Sequence, residues 1–178
     1  DSMQRFRRVE ELLDSTCKVN PVNAAAILRD KKGLGGEPLG YCNELAINQL
    51  LAMHSVIFRP AERKIWVSTS PWQCGRFVCY DLDDVFGADA SGFESSSEVI
   101  PEDPFVHSRD FADVLEFKKL LPVMQKAARS GRHVPEDSLR HFVSLDSLYF
   151  KAYDVAGDCY LSSGRAAQAS ASYRHALT

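Results

Sequence analysis

The sequence predicts an α+β fold: an antiparallel sheet layer with flanking helices, followed by an α-helical tail. Three apolar runs carry the sheet, Gln49–Phe58, Lys64–Thr69 and Arg76–Leu82. Their connectors, Arg59–Arg63 and Ser70–Gly75, are short and hold a proline or a glycine. Connectors of that length make hairpins, since a parallel crossover needs a dozen or more residues. On either side of this stretch apolar residues recur at helical spacing instead. The first run has apolar side chains at both parities: Leu50, Ala52, Val56 and Phe58 on one, Leu51, Met53 and Ile57 on the other. That pattern predicts a strand buried on both faces and central in its layer.

The flanking elements follow in order. Ser2–Asp14 puts Met3, Phe6, Val9, Leu12 and Leu13 on one stripe, an amphipathic helix with that stripe inward. Asn20-Pro21 is a capping residue followed by proline at the first helical position, opening a short helix through about Arg29 that Asp30–Gly33 closes. Gly33-Leu34-Gly35-Gly36 lacks the Gly-Lys-Ser/Thr ending of a phosphate cradle and follows a helix, so it reads as a turn. Asp83–Phe86 ends the sheet, and Gly87–Val106, rich in Gly, Ser, Glu and Pro, reads as a long surface connector. From Arg109 onward Phe111, Val114, Leu115 and Lys118/Leu121 form a stripe that Pro122 is expected to kink or break. Pro135 opens another helix with Leu139, Phe142 and Val143 on its apolar side. The organisation expected is an α/β part over residues 1–86, a connector over 87–109 and a helical region over 110–178.

Composition narrows the function. The 178 residues are 45% hydrophobic and 25% charged, ordinary for a globular domain with a real core. A formal charge of −3 argues against nucleic acid as a partner. No apolar run approaches the ~20 residues of a membrane span, and no signal-like segment is present. The cysteines Cys17, Cys42, Cys74, Cys79 and Cys159 show no CxxC spacing and stand at no ligand spacing with the histidines. They read as free thiols, compatible with a cytoplasmic setting, and no metal or other cofactor is implied.

The pairs and triplets Asn48-Gln49, His54-Ser55-Val56, Phe58-Arg59-Pro60, Trp66-Val67-Ser68 and Tyr80-Asp81-Leu82 occur in that order. Over about Ala24 to Phe86 this pattern resembles the C-terminal part of the penicillin acyltransferase-like branch of the N-terminal-nucleophile hydrolases. The resemblance implies a four-layer α/β/β/α sandwich to which this chain brings part. It also implies attack by a cysteine thiolate on a linear amide or an acyl donor, through an acyl-enzyme. That nucleophile is an N-terminal Cys, Ser or Thr freed by self-cleavage. Because this chain begins Asp1-Ser2-Met3, the nucleophile is expected on an N-terminal segment of the same protein, and the chain alone is expected to be inactive. The partners implied are that segment and a small-molecule amide or acyl substrate. At the other end Tyr153, Ala156, Gly157, Tyr160, Ala169, Tyr173 and Ala176 resemble one tetratricopeptide unit over about residues 146–177, with Ser162–Arg165 as its turn. A lone unit needs a neighbour for its apolar face, either the preceding helices or a partner, so a homo-oligomer through the tail stays open.

Within this frame Asn48 is a candidate oxyanion donor, weighed against a role satisfying backbone at a strand entry. His54 is a second catalytic candidate, weighed against a hydrogen-bonded core histidine. Ser55 follows it directly, so on one strand their side chains point to opposite faces and make no dyad. Trp72, in a connector, is a candidate wall of an acyl pocket, and Arg76 a candidate for a substrate carboxylate. Cys42 beside Asn43 is a substitute nucleophile set against an inert buried thiol. Two alternatives remain: a helical-repeat interaction module, and a non-catalytic structural relative.

Overall fold

The computed structural model describes residues 2–87 and 95–177, with the side chains of 95–97 outside the description. Within them the chain is α+β. Helices α1 (Ser2–Asp14) and α2 (Pro21–Leu28) lead into β1 (Val56–Arg59), β2 (Lys64–Ser68) and β3 (Phe77–Asp81). Helix α3 (Leu82–Phe86) and β4 (Ser95–Ile100) precede α4 (Arg109–Ser130), α5 (Glu136–Ser144), α6 (Phe150–Ser162) and α7 (Ala166–Ala176). Two compact units result: a sheet unit, Asp1–Pro38 with Cys42–Val106, and a helical unit, Leu39–Tyr41 with His107–Thr178.

In the sheet unit the strands run antiparallel in the order β1-β2-β3-β4. Pairing sets Ile57 opposite Trp66 and Trp66 opposite Cys79. These side chains, with Phe77 and Ile100, form a core that Ala24, Ala25 and Leu28 of α2 cover. Trp66 also donates its indole N–H to the Glu98 carbonyl at 2.8 Å, fixing β2 to the β4 segment. The opposite face carries Val56, Phe58, Ile65, Val67, Val78 and Tyr80. Phe58 on it is 68% exposed, and Val56, Ile65, Val67 and Tyr80 are half-buried. The asparagine cap of α2 is formed as its sequence predicts, Asn20 accepting from the Asn23 N–H at 2.9 Å with Pro21 at the first position.

Four expectations are corrected in this unit. Residues 49–55 form no strand. Asn48 Oδ1 accepts the Leu50 N–H at 3.0 Å, a local turn that throws Leu50 to φ +52° and ends any extended run. Met53 is consequently 84% exposed, and Leu51 is exposed too. The remaining strand, β1, lies at the edge of the sheet rather than its centre. Helix α1 forms, yet Met3, Phe6 and Leu13 point outward, while Arg8 is only 7% exposed. Its guanidinium forks onto Asp30, Nε to Oδ2 at 2.8 Å and Nη2 to Oδ1 at 3.1 Å, and reaches Glu11 at 3.0 Å. A charge-assisted fork of this kind sets which side of the helix faces in. Finally, the expected connector holds β4, which pairs with β3; its residues 88–94 lie outside the described residues.

The helical unit is built around α4. Ser108 caps its start, accepting from the Phe111 N–H at 3.1 Å, and Gly131 at φ +66° closes its end. The helix is not broken at Pro122 and continues to Ser130. Pro122 stands on the exposed side of the helix. Phe111, Val114, Phe117, Met124 and Ala127 are its buried residues, whereas Leu115 is exposed. Phe117 stacks on Phe142 of α5 with ring centroids 4.9 Å apart. Helices α6 and α7 make a hairpin whose turn includes Gly164 at φ +77°. Gly157 permits their approach, because a Cβ there would lie 2.5 Å from the Tyr173 ring.

Candidate functional site

The polar centre of the sheet unit forms where the end of α2 meets the β2–β3 connector and the segment after β4. Asn48 is 1% exposed. Its N–H donates to the Asp30 carbonyl at 2.8 Å, its Oδ1 accepts from Leu50, and its Nδ2 donates to Cys74 Sγ at 3.3 Å. Cys74 is fully buried, and burial pushes its thiol up despite the nearby Lys31 ammonium and the Asn48 hydrogen bond. A buried neutral thiol is a poor nucleophile.

Two cations from the end of α2 hold the surrounding loops. Arg29 donates from Nε to the Gln73 carbonyl at 3.2 Å and from Nη2 to the carbonyls of Gly75 and Pro101 at 2.8 and 2.7 Å. It also lies 5.2 Å over the Phe77 ring. Burial lowers its pKa. Lys31 pairs with Asp103 at 2.8 Å and sits 4.5 Å over the Phe105 ring. Burial works against the Asp103 carboxylate, yet hydrogen bonds from Lys31 and the Phe105 N–H hold it below the usual range. The Asp103 N–H closes the circuit on the Cys74 carbonyl at 2.8 Å. Gly75 is required here, since a Cβ would fall 2.1 Å from the Thr69 carbonyl oxygen. Arg29, Lys31, Lys32 and Asp103 line an open depression of about 360 Å³ beside this knot.

The sequence candidates separate. Asn48 is inside the cluster, joined to a cysteine that its own spacing had marked only as a free thiol. His54 is exposed and precedes β1, so it is not the buried strand histidine expected. Ser55 is paired through its backbone with Ser68, its N–H donating to Ser68 Oγ at 2.7 Å. Trp66 is core. Trp72 stands half-buried in the connector at φ +47°, its carbonyl accepting from Ser68 Oγ at 3.3 Å. Arg76 is exposed at the connector's end. Cys42 is buried. Sequence reasoning missed Arg29, Lys31, Cys74 and Asp103; the run Arg29-Asp30-Lys31-Lys32 at a helix end was the available signal. Among the described residues no cluster of His, Cys, Asp and Glu is placed to hold a metal ion. Among the described residues no helix is long and apolar enough to cross a membrane.

The helical unit has its own concavity, a groove of about 380 Å³ between α5, α6 and α7. Leu139, Val143, Ala156 and Ala171 give it apolar walls, and Arg140 and His175 stand at it as well. Glu136, also in the lining, is engaged by the Tyr160 hydroxyl at 2.8 Å and by Arg165 at 3.3 Å.

Comparison with known proteins returns no matching family model, no matching curated protein and no matching solved structure.

Proposed function

We propose that this chain is the C-terminal part of a cysteine-nucleophile amide hydrolase or acyltransferase of the N-terminal-nucleophile type, acting on linear amides or acyl donors. The observation that carries the reading is the second apolar face of the sheet, where Val78 is buried while Val56, Phe58, Ile65, Val67 and Tyr80 keep exposure. A sheet covered by α2 on one side and apolar on the other is what one half of an α/β/β/α sandwich requires, the second sheet covering that face. The exposed apolar side of α1 and the short edge strand β1 fit the same need for more chain. In this reading the thiolate stands on an N-terminal segment, and this chain supplies pocket walls. Trp72 and Arg76 lie on the connector that Arg29 holds. Asn48, buried at 1% exposure, sets the Cys74 loop behind those walls through its Nδ2.

The test expresses the gene from its native start. Intact mass reads whether the product is cut ahead of a cysteine, and turnover of a linear amide is followed with and without iodoacetamide. A self-cleaved product with thiol-dependent turnover supports the reading. An uncut, inactive product with no such cysteine overturns it.

A second reading, a helical-repeat interaction module, is favoured by the α5–α6–α7 groove. It expects the substitution Ala171→Arg to weaken a partner's binding and to leave any amidase turnover unchanged.

A further inference from the structure

The chain leaves the sheet unit for three residues, Leu39–Tyr41, which belong to the helical unit. Their seat is tight. Gly40 has φ +76°, and a Cβ there would lie 2.5 Å from the Tyr149 amide nitrogen and 2.7 Å from Asp146 Oδ1. Tyr41 donates its backbone N–H to Asp146 Oδ1 at 3.1 Å and its hydroxyl to Asp110 Oδ2 at 2.7 Å. Asp146 is 5% exposed, and its Oδ2 is buried with no hydrogen-bond partner. A carboxylate in that position holds a full charge away from water on a single N–H bond. A carboxylic acid there leaves only one idle hydroxyl, which costs far less.

We propose that Leu39–Tyr41 is a pH-gated clasp, seated on the helical unit while Asp146 carries a proton and loosened as Asp146 ionises. The groups around the gate support this direction. Tyr41 and, beyond its phenol, Asp110 at the start of α4 bring no positive charge. Burial, the bond to Asp110 and the two carboxylates push the Tyr41 phenol upward, so it stays neutral. His141 on α5 is engaged by Glu116 of α4 at 2.8 Å. Tyr149 presents a backbone nitrogen and a ring. Burial pushes Asp146 up to about 7, whereas the same carboxyl in an opened clasp titrates near 4. Opening therefore grows about tenfold per pH unit between those values and levels off above the upper one.

Hydrogen exchange of the Tyr41 amide, corrected for its intrinsic rate and referenced to the β2 amide of Ile65, reads the clasp from pH 4.5 to 8.5. The expected profile is a steep loss of protection up to about pH 7 and a plateau beyond it. Asp146→Asn, which cannot ionise, should flatten the profile. Gly40→Ala should abolish protection at every pH, proving that the amide reports opening. A flat wild-type profile, or the same profile in Asp146→Asn, overturns the proposal. Should the asparagine variant fail to fold, the carboxyl carbon shift of Asp146 in the unaltered protein decides: a midpoint near 4 overturns it, and one near 7 supports it.

Discussion

The sheet unit and the helical unit solve the same packing problem with different chemistry. In the sheet unit a modest apolar core is surrounded by long-range polar staples. Arg8 reaches Asp30, Arg29 gathers three carbonyls from two loops, and Lys31 holds Asp103. In the helical unit the elements that touch are mostly neighbours in sequence, and the contacts are aromatic stacking and close backbone approach, Phe117 on Phe142 and Gly157 under Tyr173. Irregular segments carry backbone groups that need partners, and a sheet with long connectors has many of them. Helices satisfy their own backbone and leave shape as the main demand. Charge carries more of the sheet unit and fit more of the helical one, where Arg165 repeats the role of Arg29 by tying Glu136 and the Val134 carbonyl.

Breaking each core should give the largest effects. Trp66→Ala removes the centre of the sheet core and the bond to the Glu98 carbonyl, and should cost about 3–5 kcal/mol. Phe142→Ala should cost a similar amount in the helical unit. Urea unfolding followed by residue-resolved exchange distinguishes them, each variant weakening its own unit most.

The staples come next. Arg29→Met keeps an apolar stem but strips the guanidinium from over the Phe77 ring and the donors from the Gln73, Gly75 and Pro101 carbonyls, an expected loss of about 2–3 kcal/mol. Equal stability of this variant would mean that water replaces the guanidinium without penalty. Gly157→Ala forces the hairpin apart at the Tyr173 ring and should cost about 1–3 kcal/mol in a thermal melt. Adding Tyr173→Ala should return part of it, a coupling that a mere change of helix propensity would not show.

The electrostatic effects are read from pH dependence, and their sign separates the units. Asp103 has its carboxyl held low in the folded state, so its contribution is full above about pH 4 and is lost as pH falls through the depressed value. Screening by solvent keeps it near about 1 kcal/mol. Asp146 acts oppositely. Its folded value is raised to about 7, so stability declines as pH rises from about 4 toward 7. Asp103→Asn should blunt acid sensitivity of the sheet unit, and Asp146→Asn the alkaline sensitivity of the helical unit, in melts taken between pH 3 and pH 8.

What the sequence made legible was local. The Asn20-Pro21 cap, the bodies of β2 and β3, the start near Pro135 and the Gly157–Tyr173 approach each rest on residues close in the chain or on a strong period. The misses have nonlocal causes. Hydrophobic pattern extends β1 back to Gln49, because nothing in that pattern marks Asn48 as the acceptor that turns Leu50 to positive φ. An apolar stripe orients α1 wrongly, because the decisive contact is a fork from Arg8, midway along α1, to Asp30, just beyond the end of α2. The serines of β4 hide a strand whose partner is β3. Of the candidate site, Asn48 was legible by residue type, whereas Cys74, Arg29 and Asp103 come together only through loops.

The excursion at Leu39–Tyr41 has a consequence for how this chain can be divided. The chain passes between the units at 38/39, 41/42 and 106/107, so the gene has no single point that separates them. A protease nicking the polypeptide at 106/107 would yield two fragments, and the second would lack a piece of its own fold that remains on the first. Residues 107–178 produced alone carry an unfilled seat at Gly40 and Tyr41. A short synthetic peptide covering 37–43 is the natural complement for that fragment.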